Sequence, residues 1–224
     1  PINWLHVPVR VPSQPEASSM LKQRVITAVL LLLVLLPALF YPSPEPFCGV
    51  AMILIVAGGW EWARLNGYNG LAAYVSGAVC FALCSLAWGL GLLGPAVTQT
   101  FQSVFWTVGG GLWVLAGAWL LKNGVTAWAA IPAPVRLAGG VAALAMAWLA
   151  VAQARTIGIN FLLSILMLVW VADIFAYFAG RAFGGRIAAS KLAPSISPGK
   201  SWEGVWGGMA GVVVMAFLWH WFDV

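Results

Sequence analysis

The sequence predicts an all-α fold, a polytopic transmembrane helical bundle of about seven helices. Three observations predict it. Of the 224 residues, 62% are hydrophobic and only 8% are charged, with a mean hydropathy of +0.93; a soluble domain is about a quarter charged. So few charges cannot coat the wetted surface of a globule this long. Apolar runs recur along the chain, most of them near the ~20 residues that cross hydrocarbon. Between them sit the basic residues, at helix ends, so the net charge of +5 points to topology and lipid headgroups. No nucleic-acid partner is expected.

Residues 1–19 are rich in proline and short polar residues, and are expected to form a disordered tail or translated sequence upstream of Met20. Residues 20–157 are assigned to the amino-terminal and middle helices, and 158–224 to the start of a catalytic region with a cytoplasmic loop at 180–202. The apolar runs are 25–41, 47–63, 71–93, 103–121, 136–153, 158–179 and 203–222. The first is too long for a signal peptide, and no A-x-A-like cleavage site follows it. Pro46, Glu61 and Arg64 crowd the second, and Ala and Gly dilute the fifth. Short connections such as Pro42-Ser43-Pro44 and Lys122-Asn123-Gly124 break the runs.

Charge placement tests this count. With the amino end cytoplasmic, Lys22, Arg24, Arg64, Lys122, Arg136, Arg181, Arg186, Lys191 and Lys200 share that side, and only Arg155 falls outside. Omitting a span would reverse every later loop and scramble the pattern. Cys48, Cys80 and Cys84 lie in apolar runs without His, Asp or Glu nearby, and are read as packed thiols. His6 and His220 have no neighbour at metal-ligand spacing. Tryptophans near span ends, such as Trp60, Trp62 and Trp119, are read as interfacial anchors. Gly204 with Gly208, and Gly207 with Gly211, have the small-xxx-small spacing that lets two membrane helices approach closely.

Chemistry concentrates between Trp170 and Gly208. Asp173 lies within the sixth run, where a carboxylate costs roughly 2.5–3.5 kcal/mol. Tyr177, Gly180 and Arg181 follow it along one helix face toward the cytoplasmic loop. That loop carries Arg181, Arg186, Lys191 and Lys200, then Ser197-Pro198-Gly199-Lys200-Ser201 leads into the seventh run. Backbone N–H groups ahead of a helix, a lysine and two serines suit a phosphate. A P-loop is excluded, because the position of its first glycine is Pro194 and a membrane helix replaces the strand.

These residues carry a resemblance. Met20-Leu-Lys-Gln-Arg opens the first span and Trp60-Glu61-Trp62 closes the second. Trp170-x-Ala172-Asp173-x-x-Ala176-Tyr177 is followed by Lys191-Leu-Ala-Pro194-x-Ile-Ser197-Pro198-Gly199-Lys200-Ser201-Trp202-Glu203-Gly204. The chain resembles the phosphatidate cytidylyltransferase (CDP-diacylglycerol synthase) family over most of 20–224. The resemblance implies a multi-pass protein of the bacterial inner membrane that forms CDP-diacylglycerol and pyrophosphate from CTP and phosphatidate. It also implies Mg²⁺ as cofactor, contact with membrane lipids and a homodimer as one possible assembly. Asp173 and Lys200 are then the expected catalytic residues, with Ser197, Gly199, Ser201, Lys191 and Arg181 binding phosphate, and diacyl tails entering sideways from the bilayer. Family members continue into helices bearing a Lys-Asp pair, His-Gly-Gly and Asp-Arg-x-Asp, whose carboxylates hold the metal. That signature does not occur here, so a fragment is expected and its metal ligands are left open. The rival reading is a transporter or anion-binding membrane protein, which an intramembrane Asp and a basic mouth would also suit; against it, no internal repeat is visible. A structural membrane subunit is the third reading, and it leaves the polar run at 190–204 unexplained.

Overall fold

A computed structural model describes residues 14–93, 99–188, 191–194 and 197–221. Its elements run α1 (Gln14–Phe40), α2 (Glu45–Leu65), α3 (Leu71–Gly89), α4 (Gln99–Ala130), α5 (Ala133–Ile157), α6 (Ile159–Phe183), β1 (Lys191–Ala193), β2 (Ser197–Ser201) and α7 (Trp202–Trp221). All seven helices are long and apolar enough to cross a membrane, as the hydropathy pattern predicts. The chain is a multi-pass membrane protein.

Three boundaries differ from the sequence expectation. Residues 1–13 of the expected tail lie outside the described residues, but from Gln14 the chain is already helical. Pro15 is tolerated in a first turn, and no glycine or proline interrupts residues 16–36, Pro37 falling in the last turn. The fourth helix does not stop at Lys122-Asn123-Gly124. It changes direction at Gly124, where φ is 70° and ψ −164°, and resumes to Ala130. Only glycine takes such a backbone without strain, so the turn signal produces a kink between two helical stretches. The loop expected at 180–202 holds a two-stranded antiparallel ladder, β1 with β2, with a register shift between its rungs.

Helices α2, α3 and α5 pack together, with α1 against α2, α6 against α5 and α7 against α6. Lipid tails are as apolar as leucine, so close packing and hydrogen bonds must hold these helices together. Both devices are visible. Ser76 Oγ donates to the Gly59 carbonyl at 2.8 Å, linking α3 to α2. Trp148 on α5 is buried and donates through Nε1 to the Cys48 carbonyl at 3.0 Å. Around that indole lie Cys48, Cys84, Leu149 and Ala152. All three cysteines are buried and free, packed thiols as their apolar setting predicts. A second cluster, Leu39, Phe47, Ala154 and Leu162, joins the end of α1, the start of α2, the end of α5 and the start of α6.

The α6–α7 pair is the closest contact. A Cβ added at Gly208 would stand 3.0 Å from the Ala172 carbonyl oxygen, and one at Gly211 would stand 2.5 Å from the Phe175 ring. The small-xxx-small stripe therefore seats α7 directly on α6, fixing the two helices that carry the polar motifs.

Candidate functional site

The predicted residues meet where α6 ends, the hairpin folds and α7 begins. Along α6, Asp173, Tyr177 and Arg181 follow one another at one-turn intervals, all exposed. Arg181 donates through Nη1 to the Tyr177 hydroxyl at 2.8 Å. Asp173 makes no hydrogen bond or ion pair among the described residues and lies on the surface of the bundle, not in its interior. A carboxylate at membrane depth needs a partner. In this chain that partner must come from outside the described contacts.

Gly180 and Gly184 continue the same stripe, seven and eleven positions beyond Asp173. Ser201 Oγ sits over them, 3.5 Å and 3.3 Å from where their Cβ atoms would be. The hairpin thus crowns the Asp173 stripe about 10 Å farther along the axis, at 1.5 Å per residue. Ser201 also caps α7, its Oγ accepting the Gly204 N–H at 3.3 Å.

Strand register decides which cations join it. Lys191 pairs directly with Ser201, and Ala193 with Ser197. Directly opposed residues share a face of the ladder, so Lys191 stands beside Ser201. The register shifts between these two rungs, where Pro198, Gly199 and Lys200 lie. Ser197 and Ser201 are half-buried, while Gly199, Lys200 and Lys191 are exposed. The sequence treats the segment as a loop; the structure pairs Lys191 with Ser201 across a two-stranded ladder, with Lys200 exposed next to that rung.

One residue was missed. Glu203, second in α7, is only 4% exposed. Its Oε1 accepts the N–H groups of Ile187 at 3.0 Å and Ala188 at 2.8 Å, and its Oε2 is buried with no partner among the described residues. An acid in the first turn, two residues after a serine cap, was the available signal.

The site is an exposed shelf of hydroxyls and cations beside a membrane helix with a bare carboxylate. Such a shelf can neutralise phosphate charge at the bilayer boundary. The profile of the cytidylyltransferase family matches residues 22–223. The chain belongs to that family. It is 38% identical over 196 residues to the phosphatidate cytidylyltransferase of Pseudomonas aeruginosa, covering 85% of this chain and 67% of that protein. Identity to the Haemophilus influenzae phosphatidate cytidylyltransferase is 32%, over 89% of this chain and 72% of the relative. A shorter match, 44% identical over 66 residues, links it to the phosphatidate cytidylyltransferase of Thermotoga maritima, covering 30% of this chain and 23% of that one. No solved structure matches significantly.

Proposed function

We propose that this chain transfers the cytidylyl group of CTP to phosphatidate, releasing pyrophosphate and leaving CDP-diacylglycerol in the membrane. The observation that carries the reading is the Lys191–Ser201 rung seated on Gly180 and Gly184, at the head of the Asp173 stripe, in a member of the cytidylyltransferase family. A phosphatidate oxygen attacks the α-phosphorus of CTP in line, and the bond to the β-phosphate oxygen breaks. Both reactants are polyanions, so charge must be neutralised before they can meet.

Lys191 and the Ser201 and Ser197 hydroxyls are assigned to phosphate oxygens at the hairpin, with the exposed Lys200 holding a second phosphate or a lipid headgroup. Arg181, oriented by Tyr177, extends the basic surface down α6. The described donors offer magnesium no protein cage, since no group of three His, Cys, Asp or Glu is found among them. They fit a substrate-borne ion, for which one hard carboxylate oxygen from Asp173 suffices as protein donor. Bound there, magnesium would neutralise charge on the polyphosphate. The shelf faces the cytoplasm of a bacterial cell in this reading, with the amino end on the same side, where CTP is available.

The test is CTP-dependent CDP-diacylglycerol formation in membranes holding the chain, supplied with phosphatidate and magnesium. Activity that falls at least about tenfold in both Lys191→Ala and Lys200→Ala is expected, a loss of one charge-assisted contact each. A Lys200→Ala variant with full activity would remove Lys200 from the phosphate site. Wild-type membranes without product would overturn the reading for this chain.

A further inference from the structure

Phosphate binding by the hairpin leaves one buried charge without a task. An enclosed carboxylate next to a membrane helix is costly unless hydrogen bonds hold it. Glu203 belongs to α7, yet both amides bound by its Oε1, those of Ile187 and Ala188, belong to the loop leaving α6. The side chain therefore ties the exit of one helix to the entry of the next, with the α7 amino terminus favouring its negative charge.

What the tie immobilises is Arg186. On its amino-terminal side Gly185 takes φ +75°, and the Arg186 N–H closes a turn on the Phe183 carbonyl at 2.9 Å. On its carboxyl-terminal side come the two amides held by Glu203. The Arg186 backbone is thus fixed from both directions while its side chain is exposed. Gly184, two residues earlier, lies under Ser201 Oγ, so this loop borders the hairpin.

We propose that Glu203 is a positioning residue, which holds the Ile187 and Ala188 amides so that the Arg186 guanidinium stands beside the Ser201 end of the hairpin and meets a phosphate of the nucleotide. The proposal rests on the cytidylyl-transfer reading. It adds Arg186 to the phosphate-binding residues and gives the acid at 203 a task distinct from capping its own helix. Guanidinium offers a planar fork that a lysine cannot, and such a fork is effective only when the backbone beneath it is fixed.

The experiment compares wild type with Glu203→Ala, Glu203→Gln and Arg186→Ala in the membrane assay, varying CTP, and follows amide exchange at 187–188 in the same proteins. Glu203→Ala and Arg186→Ala are each expected to raise KM for CTP about tenfold, with kcat changed less than about threefold. Exchange at 187–188 should accelerate in Glu203→Ala and not in Arg186→Ala. Glu203→Gln keeps a carbonyl acceptor and should recover most of both losses. An unchanged KM in Arg186→Ala, which leaves the tie intact and does not depend on Glu203→Ala folding, overturns the proposal. So does unchanged exchange in Glu203→Ala, or a glutamine variant as impaired as alanine. If wild-type membranes make no CDP-diacylglycerol, it is the functional reading that fails, and exchange still decides whether Glu203 holds the loop.

Discussion

Arg155 is the basic residue that charge placement leaves on the outer side. It is 6% exposed and donates through Nε to the Leu39 carbonyl at 3.1 Å and through Nη2 to the Tyr41 carbonyl. These acceptors lie at and just beyond the end of α1, whose last carbonyls have no partner within the helix. The exception to the charge pattern is therefore a buried cap rather than a topology signal. Replacing Arg155 with alanine leaves those carbonyls unsatisfied, at a cost of about 1–3 kcal/mol. The unfolding midpoint in detergent should fall accordingly, and Arg155→Lys should recover part of the loss. A midpoint equal to wild type would dismiss the cap. Residue-level roles of this kind depend on contacts up to 116 positions away, which is why hydropathy could place Arg155 but not explain it.

At the scale of elements, the α6–α7 pair is where spacing and structure agree most closely. The four-residue glycine interval predicts close helix approach, and Gly207, Gly208 and Gly211 each meet α6 with no room for a side chain. A leucine at Gly208 must push the Ala172 carbonyl away, and overpacking of this kind costs about 1–3 kcal/mol. Faster thermal inactivation is the expected reading, together with lost activity as the hairpin shifts from the Asp173 stripe. Alanine at Gly110 on α4, where nothing lies within 4 Å, should leave stability unchanged or slightly improved, since alanine favours helix. Equal effects at the two positions would refute the packing argument. The hairpin was less legible. Five residues containing proline and glycine carry no strand signal of their own, and their pairing with 191–193 is fixed by where α6 ends and α7 begins. Ser197, Lys200 and Ser201 were readable as residue types that suit a phosphate, but the pairing of Lys191 with Ser201 was not.

For the whole molecule, the seven spans and the charge bias together define a topology that labelling can check. Cys48, Cys80 and Cys84 are buried, so they provide a quiet background for introduced thiols. Asn123 and Ile157 are exposed and lie at opposite ends of the α4–α5 hairpin of helices. With the amino end cytoplasmic, Asn123→Cys should react with an impermeant reagent only after the cytoplasmic face is opened, and Ile157→Cys should react from outside. The reverse pattern would invert the orientation and place the phosphate shelf away from CTP.

By itself the sequence determined the helix count, the approximate span limits, the glycine contact of the last helix and the family motif. Each of these is written in local spacing: about 20 apolar residues for a span, four for a helix turn, a short polar run for the motif. Only the tertiary structure decided that Arg155 caps α1, that Lys191 pairs with Ser201, and that Glu203 holds the loop carrying Arg186. Those are hydrogen-bond and register choices between separate segments. Polar groups withdrawn from water must take whichever partner the packed helices bring within about 3 Å, and residue order alone does not state which that will be.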